Sequence, residues 1–168
     1  TRSTRTNNGA EPGAARSEEV GVDRRRHLVA LEQHARRVRE GVAKAFERPF
    51  AHISLGGASD VAMLQGHSYT YEGSRWGRLV QVLMDSGCMD PLLYFDELDK
   101  LGTCEKGREL ESLLIHLTDD SQNSTFTDRY FDTVELDMSR ALIIFSFNNE
   151  QAINPILRDR LTIIRTQP

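Results

Sequence analysis

Apolar residues recur at alternating steps of three and four in the first third of the chain, and this spacing predicts a helix with one apolar face. The residues are Leu28, Leu31, Ala35, Val38, Val42 and Ala45. Phe46 widens the face, and Pro49 is expected to end the helix. Residues 1–16 have no apolar period and are rich in Thr, Asn, Gly, Ala and Arg, so a disordered tail is predicted there.

Beyond Pro49, short apolar runs alternate with amphipathic stretches. Four runs predict strands, and the last three are expected to be buried: residues 51–55, 92–95, 141–147 and 161–164. Turn residues and apolar alternation between Asn123 and Asp137 predict a hairpin or an extended arm.

Two amphipathic stretches predict helices in this alternating part. The first is expected to be capped by Ser74 and to end at Gly87. Its apolar stripe consists of Trp76, Leu79, Val80, Leu83 and Met84. The second is marked by Leu110, Leu113, Leu114 and Leu117. Strands that alternate with helices predict an α/β fold, with a mainly parallel sheet and helices on both faces.

Composition and charge narrow the function classes. The 168 residues suit one domain. Residues 1–40 hold nine arginines and six acidic residues, whereas residues 41–168 hold twelve basic and nineteen acidic residues. An acidic body argues against nucleic-acid binding as the main function. Cys88 and Cys104 lack a metal-binding spacing, and no apolar run approaches the ~20 residues of a membrane span. A cytoplasmic protein without membrane contact is expected.

The strand at residues 92–95 ends in two acids, Asp96 and Glu97. Ligands of open parallel sheets bind at the carboxyl ends of the strands. Two carboxylates there can divide the work of nucleotide hydrolysis: Asp96 would hold Mg²⁺ through water, and Glu97 would orient and deprotonate the attacking water. The alternative is that the two acids begin a turn and cap the segment after it.

Two further polar groups come after buried or helical segments. The strand at 141–147 runs into Asn148 and Asn149, whose amides could hold the attacking water. Arg158 and Arg160 precede the last predicted strand, and arginine can stabilise the charge of a phosphoryl-transfer transition state. The alternative for each is a surface or capping residue.

Four sequence blocks, taken together and in order, resemble the AAA+ ATPase domain of Lon proteases. Residues 52–60 and 66–73 resemble the family pattern ISLGG…GH..TY.G, and residues 96–100 match its Walker B segment DEIDK. Residues 122–130 resemble EQN..F.D.Y, and residues 157–160 match LRDR. The resemblance implies a partial P-loop NTPase-like fold, with an incomplete AAA+ core at 49–168. The residue pattern itself predicts a poorly ordered arm at 1–16 and a helical segment at 17–48, whose first part has no match in the family.

The resemblance also implies roles for individual residues of the ATP site. Asp96 would be the Mg²⁺-associated carboxylate and Glu97 the catalytic base. Asn148 would be the sensor-1 residue, with Asn149 one position away. Arg160 would be the arginine finger, acting on ATP held by the neighbouring subunit of a homo-hexameric ring.

For the substrate, the resemblance places Tyr71 at the aromatic position of the first pore loop, which grips protein substrates during unfolding and translocation. The family usually has an apolar residue next, whereas this chain has Glu72. A carboxylate beside the aromatic grip weakens the usual preference for apolar, unfolded polypeptide.

One part of the family pattern is missing. Lon-type ATPases bind phosphate with a loop of sequence Gly-Pro-Pro-Gly-x-Gly-Lys-Thr, and alignment places it at residues 29–36, which read Val-Ala-Leu-Glu-Gln-His-Ala-Arg. No glycine lies between Asp23 and Glu40, so the backbone freedom that such a loop needs is absent. Continuous helix is predicted there instead.

No counterpart of the family's helical lid or protease domain comes after Arg165, so we expect a fragment or an inactive copy of a Lon-like ATPase. The main alternative is a non-hydrolysing AAA+-like interaction module that regulates intact subunits. A clamp-loader type of AAA+ protein acting on DNA is a weaker alternative, because the body of the chain is acidic.

Overall fold

The computed structural model describes residues 28–32, 41, 45–56, 60–70, 72–101 and 104–165. These residues form seven strands, numbered in chain order: β1 Leu28–Glu32, β2 Phe50–Ser54, β3 Leu92–Asp96, β4 Phe126–Thr127, β5 Glu135–Leu136, β6 Leu142–Phe147 and β7 Thr162–Arg165. Five of them form a sheet in the order β2-β3-β6-β1-β7, in which every pair is parallel.

The first strand corrects the helix prediction at its N-terminal end. Leu28–Glu32 is a strand that pairs with β6 on one side and β7 on the other, with Val29 opposite both Ile144 and Thr162. A short apolar run cannot be assigned to helix or strand by its period alone, and here two parallel neighbours satisfy its backbone groups. The chain is helical at Gly41, Ala45 and Phe46, before Pro49.

The helices lie between the strands. They are α1 Ala62–Gln65, α2 Arg78–Ser86, α3 Glu105–Leu117 and α4 Pro155–Arg158, with short 3-10 helices at Leu98–Lys100, Asn123–Thr125 and Glu150–Ala152. The predicted end of α2 is confirmed, because Gly87 is left-handed with a φ of 64°. The predicted cap at Ser74 is wrong: α2 begins after Gly77, whose amide is bound by the distant carboxylate of Asp128.

The core has two unequal parts, one on each face of the sheet. Alternate residues of β3 and β6 face opposite ways, and Phe95 and Phe145 stack at 5.3 Å on one face. All four described helices contribute to the core on that face. On the other face a smaller cluster forms, consisting of Leu92, Tyr94, Leu142 and Ile144 with Phe50 beside it. Among the described residues, the expected helices are therefore confirmed on one face.

Two peripheral elements are also settled. β4 and β5 pair antiparallel, so the hairpin alternative for residues 123–137 is confirmed. The prediction of a third buried strand near the C-terminal end is wrong, since β7 is exposed along most of its length. β7 is one of the two edge strands of the sheet and pairs only with β1 among the described strands.

Candidate functional site

The two predicted acids lie where the carboxyl ends of β3 and β6 meet. Asp96 is the last residue of β3, and Glu97 comes directly after it. The Ser146 hydroxyl of β6 donates a hydrogen bond to Oδ1 of Asp96 and accepts one of 3.4 Å from the Glu97 backbone amide. Ser146 therefore ties both acids to the neighbouring strand. Sequence reasoning missed Ser146, although a hydroxyl within an apolar strand was a signal.

The second carboxylate oxygen of Asp96 faces β2, the edge strand that pairs with β3. His52 lies on β2, and its Nε2 is 3.4 Å from Oδ2 of Asp96. The His52 ring stacks on Tyr94 of β3 with a centroid distance of 5.7 Å. The Asp96 side chain keeps 30% of its surface exposed. It therefore stays accessible to hydrated ligands while two neighbours orient it.

The backbone of Glu97 is left-handed, with φ 62° and ψ 46°. Its side chain turns back over the end of β2, where Ser54 Oγ is 3.5 Å from Oε2. A Cβ at Gly56 would lie 2.0 Å from the same oxygen, so a side chain there would displace the Glu97 carboxylate. The left-handed region is costly for a residue with a side chain, by about 1–3 kcal/mol, and such strain is common at functional sites.

This strain leads to a prediction about stability. Glu97→Asn is expected to raise the free energy of unfolding by about 0.5–1 kcal/mol, because asparagine tolerates the left-handed region better. Removing the Glu97 carboxylate should cost little stability, because its contact with Ser54 is long. Urea denaturation measures the change. Glu97→Gln is the control, which keeps the strain and should stay within about 0.5 kcal/mol of the natural chain. Equal stability of the two variants would contradict strain at this position.

The two asparagines after β6 have different surroundings. Asn149 is a cap, whose side-chain oxygen accepts a 3.0 Å hydrogen bond from the Gln151 amide. Asn148 is exposed, and its backbone amide donates to Oδ1 of Asp99 at 3.2 Å. Asp99 lies just after the acidic pair in sequence, so Asn148 is held beside the end of β3. Its side chain is the better candidate for contact with a bound ligand, and its role stays a prediction.

Arg160 is directed elsewhere within its own chain. Its Nη1 donates to the carbonyl oxygen of Ile115 at 2.7 Å, and its Nη2 lies 3.0 Å from Oδ2 of Asp119. Hydrogen bonds from Ser121, followed by the charge of Arg160, lower the pKa of the Asp119 carboxyl. Arg160 is therefore bound to the C-terminal end of α3, and its contacts with described residues do not include Asp96 or Glu97.

The predicted substrate contacts belong to the segment 66–77, which we call the substrate loop after that prediction. Tyr71 lies outside the described residues. Glu72 is exposed, and so is Tyr69, at 64% of its surface. Acidic and aromatic side chains are thus both presented to solvent on this loop.

The predicted position of the phosphate loop is partly occupied by sheet. Residues 29–32 belong to β1, so the continuous helix predicted for 29–36 is wrong at 29–32, and the alignment that places the family's phosphate loop there is out of register. A loop after the carboxyl end of β1 would begin at residue 33, and residues 33–40 lie outside the described part of the chain. Their sequence, Gln-His-Ala-Arg-Arg-Val-Arg-Glu, contains no glycine.

Two kinds of feature are absent from the described residues. No group of three or more His, Cys, Asp or Glu side chains is arranged to hold a metal ion by itself. Nor is any helix there long and apolar enough to cross a membrane.

Comparison with known proteins identifies the family to which the chain belongs. The sequence model of the ATPase family associated with various cellular activities (AAA) matches residues 38–168. The chain is 37% identical to a Lon protease homolog of Acanthamoeba polyphaga mimivirus and 41% identical to the Lon protease of Chloroflexus aurantiacus. These alignments cover 77% and 74% of this chain, but 13% and 15% of the two relatives. The chain thus spans about one seventh of their length.

A solved structure supports the fold. A closed-state cryo-electron microscopy reconstruction of Hsp104 with ATPγS and FITC casein matches 84% of this chain and 29% of the Hsp104 chain. The TM-score is 0.64 at 17% sequence identity. The likeness confirms the P-loop NTPase-like α/β fold, and the relatives confirm the resemblance to Lon. Because the family model matches residues 38–168, the chain belongs to the AAA ATPase family, which is a family of ATP-hydrolysing modules.

Proposed function

We propose that this chain is the ATPase portion of a Lon-like ATP-dependent serine protease. In the whole protein, ATP hydrolysis would drive the unfolding and translocation of protein substrates through a homo-hexameric ring in the cytoplasm. The observation that carries the proposal is the arrangement of Asp96, Glu97 and Ser146 at the carboxyl edge of the sheet, in a chain similar to Lon proteases. Peptide hydrolysis would belong to a further domain of such a protein.

The carboxyl edge suits the metal side of an ATP site. Bound MgATP supplies the phosphoanhydride bond and a divalent charge, and oxygen ligands with several waters are what Mg²⁺ prefers. Asp96 would hold the waters of the metal ion, with one oxygen fixed by Ser146 and the other beside His52. Glu97 would orient and deprotonate the attacking water, and Asn148 would hold that water or the terminal phosphate.

The phosphate side of the site does not fit the sequence. Phosphate is normally wrapped by backbone amides of a glycine-rich loop that leads into a helix. Residues 33–40, between β1 and the helical Gly41, have no glycine and no lysine. Their arginines at 36, 37 and 39 could attract phosphate, but they cannot replace a backbone cradle. We therefore expect Asp96 and Glu97 to be assembled in a chain that lacks its own phosphate-binding loop.

This misfit favours a second candidate function, a non-hydrolysing AAA module that sits beside intact subunits. Such a module would need only to supply Arg160 to a neighbour's nucleotide. Arg160 would first have to leave Ile115 and Asp119, which bind it at 2.7 and 3.0 Å. A DNA-acting AAA protein is less well supported, since the body of the chain is acidic.

The coding sequence around these residues tests the first proposal against the second. A Lon-like protease requires a serine–lysine protease domain downstream and a phosphate loop directly after the strand that corresponds to β1. Finding the protease domain in the same reading frame would support the proposed function. Finding neither element in any frame would reject it and leave the interaction module.

A further inference from the structure

The substrate loop, residues 66–77, closes on itself at its base. The His67 amide donates to the Arg75 carbonyl at 3.0 Å. A Cβ added at Gly77 would lie 2.6 Å from the Gly66 amide nitrogen and 2.0 Å from the Leu64 carbonyl oxygen. The first and last residues of the loop are therefore in direct contact, and both must be glycine for the backbones to approach so closely.

The segment 127–131 forms hydrogen bonds at both ends of this loop. At the entry, Gln65 Nε2 donates to the Thr127 carbonyl at 2.9 Å, and the Arg129 amide donates to the Gln65 carbonyl at 2.7 Å. At the exit, the Gly77 amide donates to Oδ2 of Asp128 at 2.8 Å. The loop is thus attached to the turn after β4 at two points.

Asp128 lies at the centre of these contacts. It is fully buried, and its two oxygens accept hydrogen bonds from two backbone amides, Gly77 on Oδ2 and Tyr130 on Oδ1. Oδ1 also lies only 2.6 Å from where a Cβ of Gly66 would be. Burial raises the pKa of this carboxyl, against the two amides, which lower it. A buried carboxylate is costly, and its two backbone bonds compensate for part of that cost.

An aromatic cluster surrounds the same junction. Trp76, the residue before Gly77, has its ring centroid 5.8 Å from that of Tyr130 and 6.3 Å from that of Phe131. Trp76 is the single tryptophan of the chain. Its fluorescence therefore reports on the junction between the substrate loop and the turn at Asp128.

We propose that Asp128 is a positioning residue for the substrate loop: its carboxylate holds the exit of residues 66–77 through the Gly77 amide, next to the entry that Thr127 and Arg129 bind, and so fixes the direction in which the loop presents Tyr69 to a polypeptide. The inference deepens the proposed function and rests on it for the nature of the bound ligand. Because the loop base and the turn move as one unit, a shift of the β4–β5 hairpin would be passed directly to the substrate loop.

Asp128→Asn in the full 168-residue chain tests the proposal. Asparagine keeps the shape but carries an N–H group on one side, so one of the two amides loses its acceptor. The expected result is an increase of about 10-fold in hydrogen exchange at Gly77 and Tyr130 relative to Leu114 in α3. Acrylamide quenching of Trp76 should increase in parallel.

Asp137→Asn is the matched control. Asp137 is an aspartate in the same hairpin region, and its Oδ1 accepts a 2.9 Å hydrogen bond from the Ser139 amide at the protein surface. This control should leave Trp76 quenching unchanged. Equal increases in exchange at Gly77 and Leu114 in the Asp128 variant would show a merely structural role and overturn the proposal. So would unchanged quenching of Trp76.

The unmodified chain gives a second test that does not depend on the variant folding. If Asp128 joins the loop to the turn, the amides of Gly77 and Tyr130 should open together, with exchange protection equal within about 3-fold. Protection that differs by more than about 30-fold would overturn the proposal. Both measurements are made without ATP or polypeptide, so a failure of the proposed function would not alter their outcome.

Discussion

Replacing residues 33–40 with Gly-Pro-Pro-Gly-x-Gly-Lys-Thr is expected to give this chain micromolar affinity for MgATP, whereas no measurable affinity is expected of the natural sequence. The exchange is eight residues for eight, between the end of β1 at Glu32 and the helical Gly41. The glycines would let backbone amides surround the phosphates, and the lysine would neutralise them. The acidic pair that completes the site is already at the carboxyl edge of the sheet. Isothermal titration calorimetry with MgATP measures the gain.

Two variants of the grafted chain serve as controls. Changing the grafted lysine to alanine should remove the gained affinity. Glu97→Gln in the graft should keep the affinity and lower any turnover by at least about 100-fold, because only the base is lost. A folded graft that fails to bind MgATP would contradict the assignment of the carboxyl edge to a nucleotide. Loss of binding in the Glu97→Gln graft would instead make Glu97 structural.

Phe95→Ala is expected to lower the free energy of unfolding by about 3–5 kcal/mol. Phe95 is fully buried in β3 and stacks on Phe145 of β6 at 5.3 Å, so alanine leaves a cavity in the main core. Such a loss is a large fraction of the total stability of a typical domain, about 5–15 kcal/mol. Urea denaturation followed by far-ultraviolet circular dichroism measures it.

Tyr69→Ala is the control for the core substitution. Tyr69 is an aromatic residue with 64% of its surface exposed, so its removal should change stability by less than about 0.5 kcal/mol. A cost below about 1 kcal/mol at Phe95 would contradict the packing of β3 against β6, and with it the position of Asp96.

The central strands and the long helix could be predicted because their patterns allow one interpretation. The runs that became β3 and β6 are continuous and apolar, as expected for strands buried on both faces. The leucines of α3 have a clear helical period, and the described helix spans Glu105–Leu117. In both cases local pattern and tertiary environment agree.

The sequence predictions were wrong where residues that are distant in sequence determine the local structure. Leu28–Glu32 has a period that fits a helix, but pairing with β6 and β7 makes it a strand. The start of α2 depends on Asp128, which lies 51 residues away from Gly77, so a local cap at Ser74 was the natural but wrong choice. β7 is apolar enough to be buried, yet its place at the edge of the sheet leaves it exposed.

The candidate site could be predicted in part for the same reason. Asp96 and Glu97 are evident from a strand that ends in acids. The contacts of Ser146 and His52 with Asp96 could not be predicted, because they depend on the register between three strands. The partners of Arg160 at the end of α3 could not be predicted either, because they lie 41 and 45 residues away in sequence.

We propose that the hydrolytic edge of an AAA ATP site is assembled in this chain without a loop that holds phosphate. Titration of the purified, unaltered chain with MgATP tests it most directly. We expect no measurable binding up to millimolar ATP, with the sheet still folded. Micromolar affinity would contradict it, and would mean that residues 33–40 hold the phosphates without glycine.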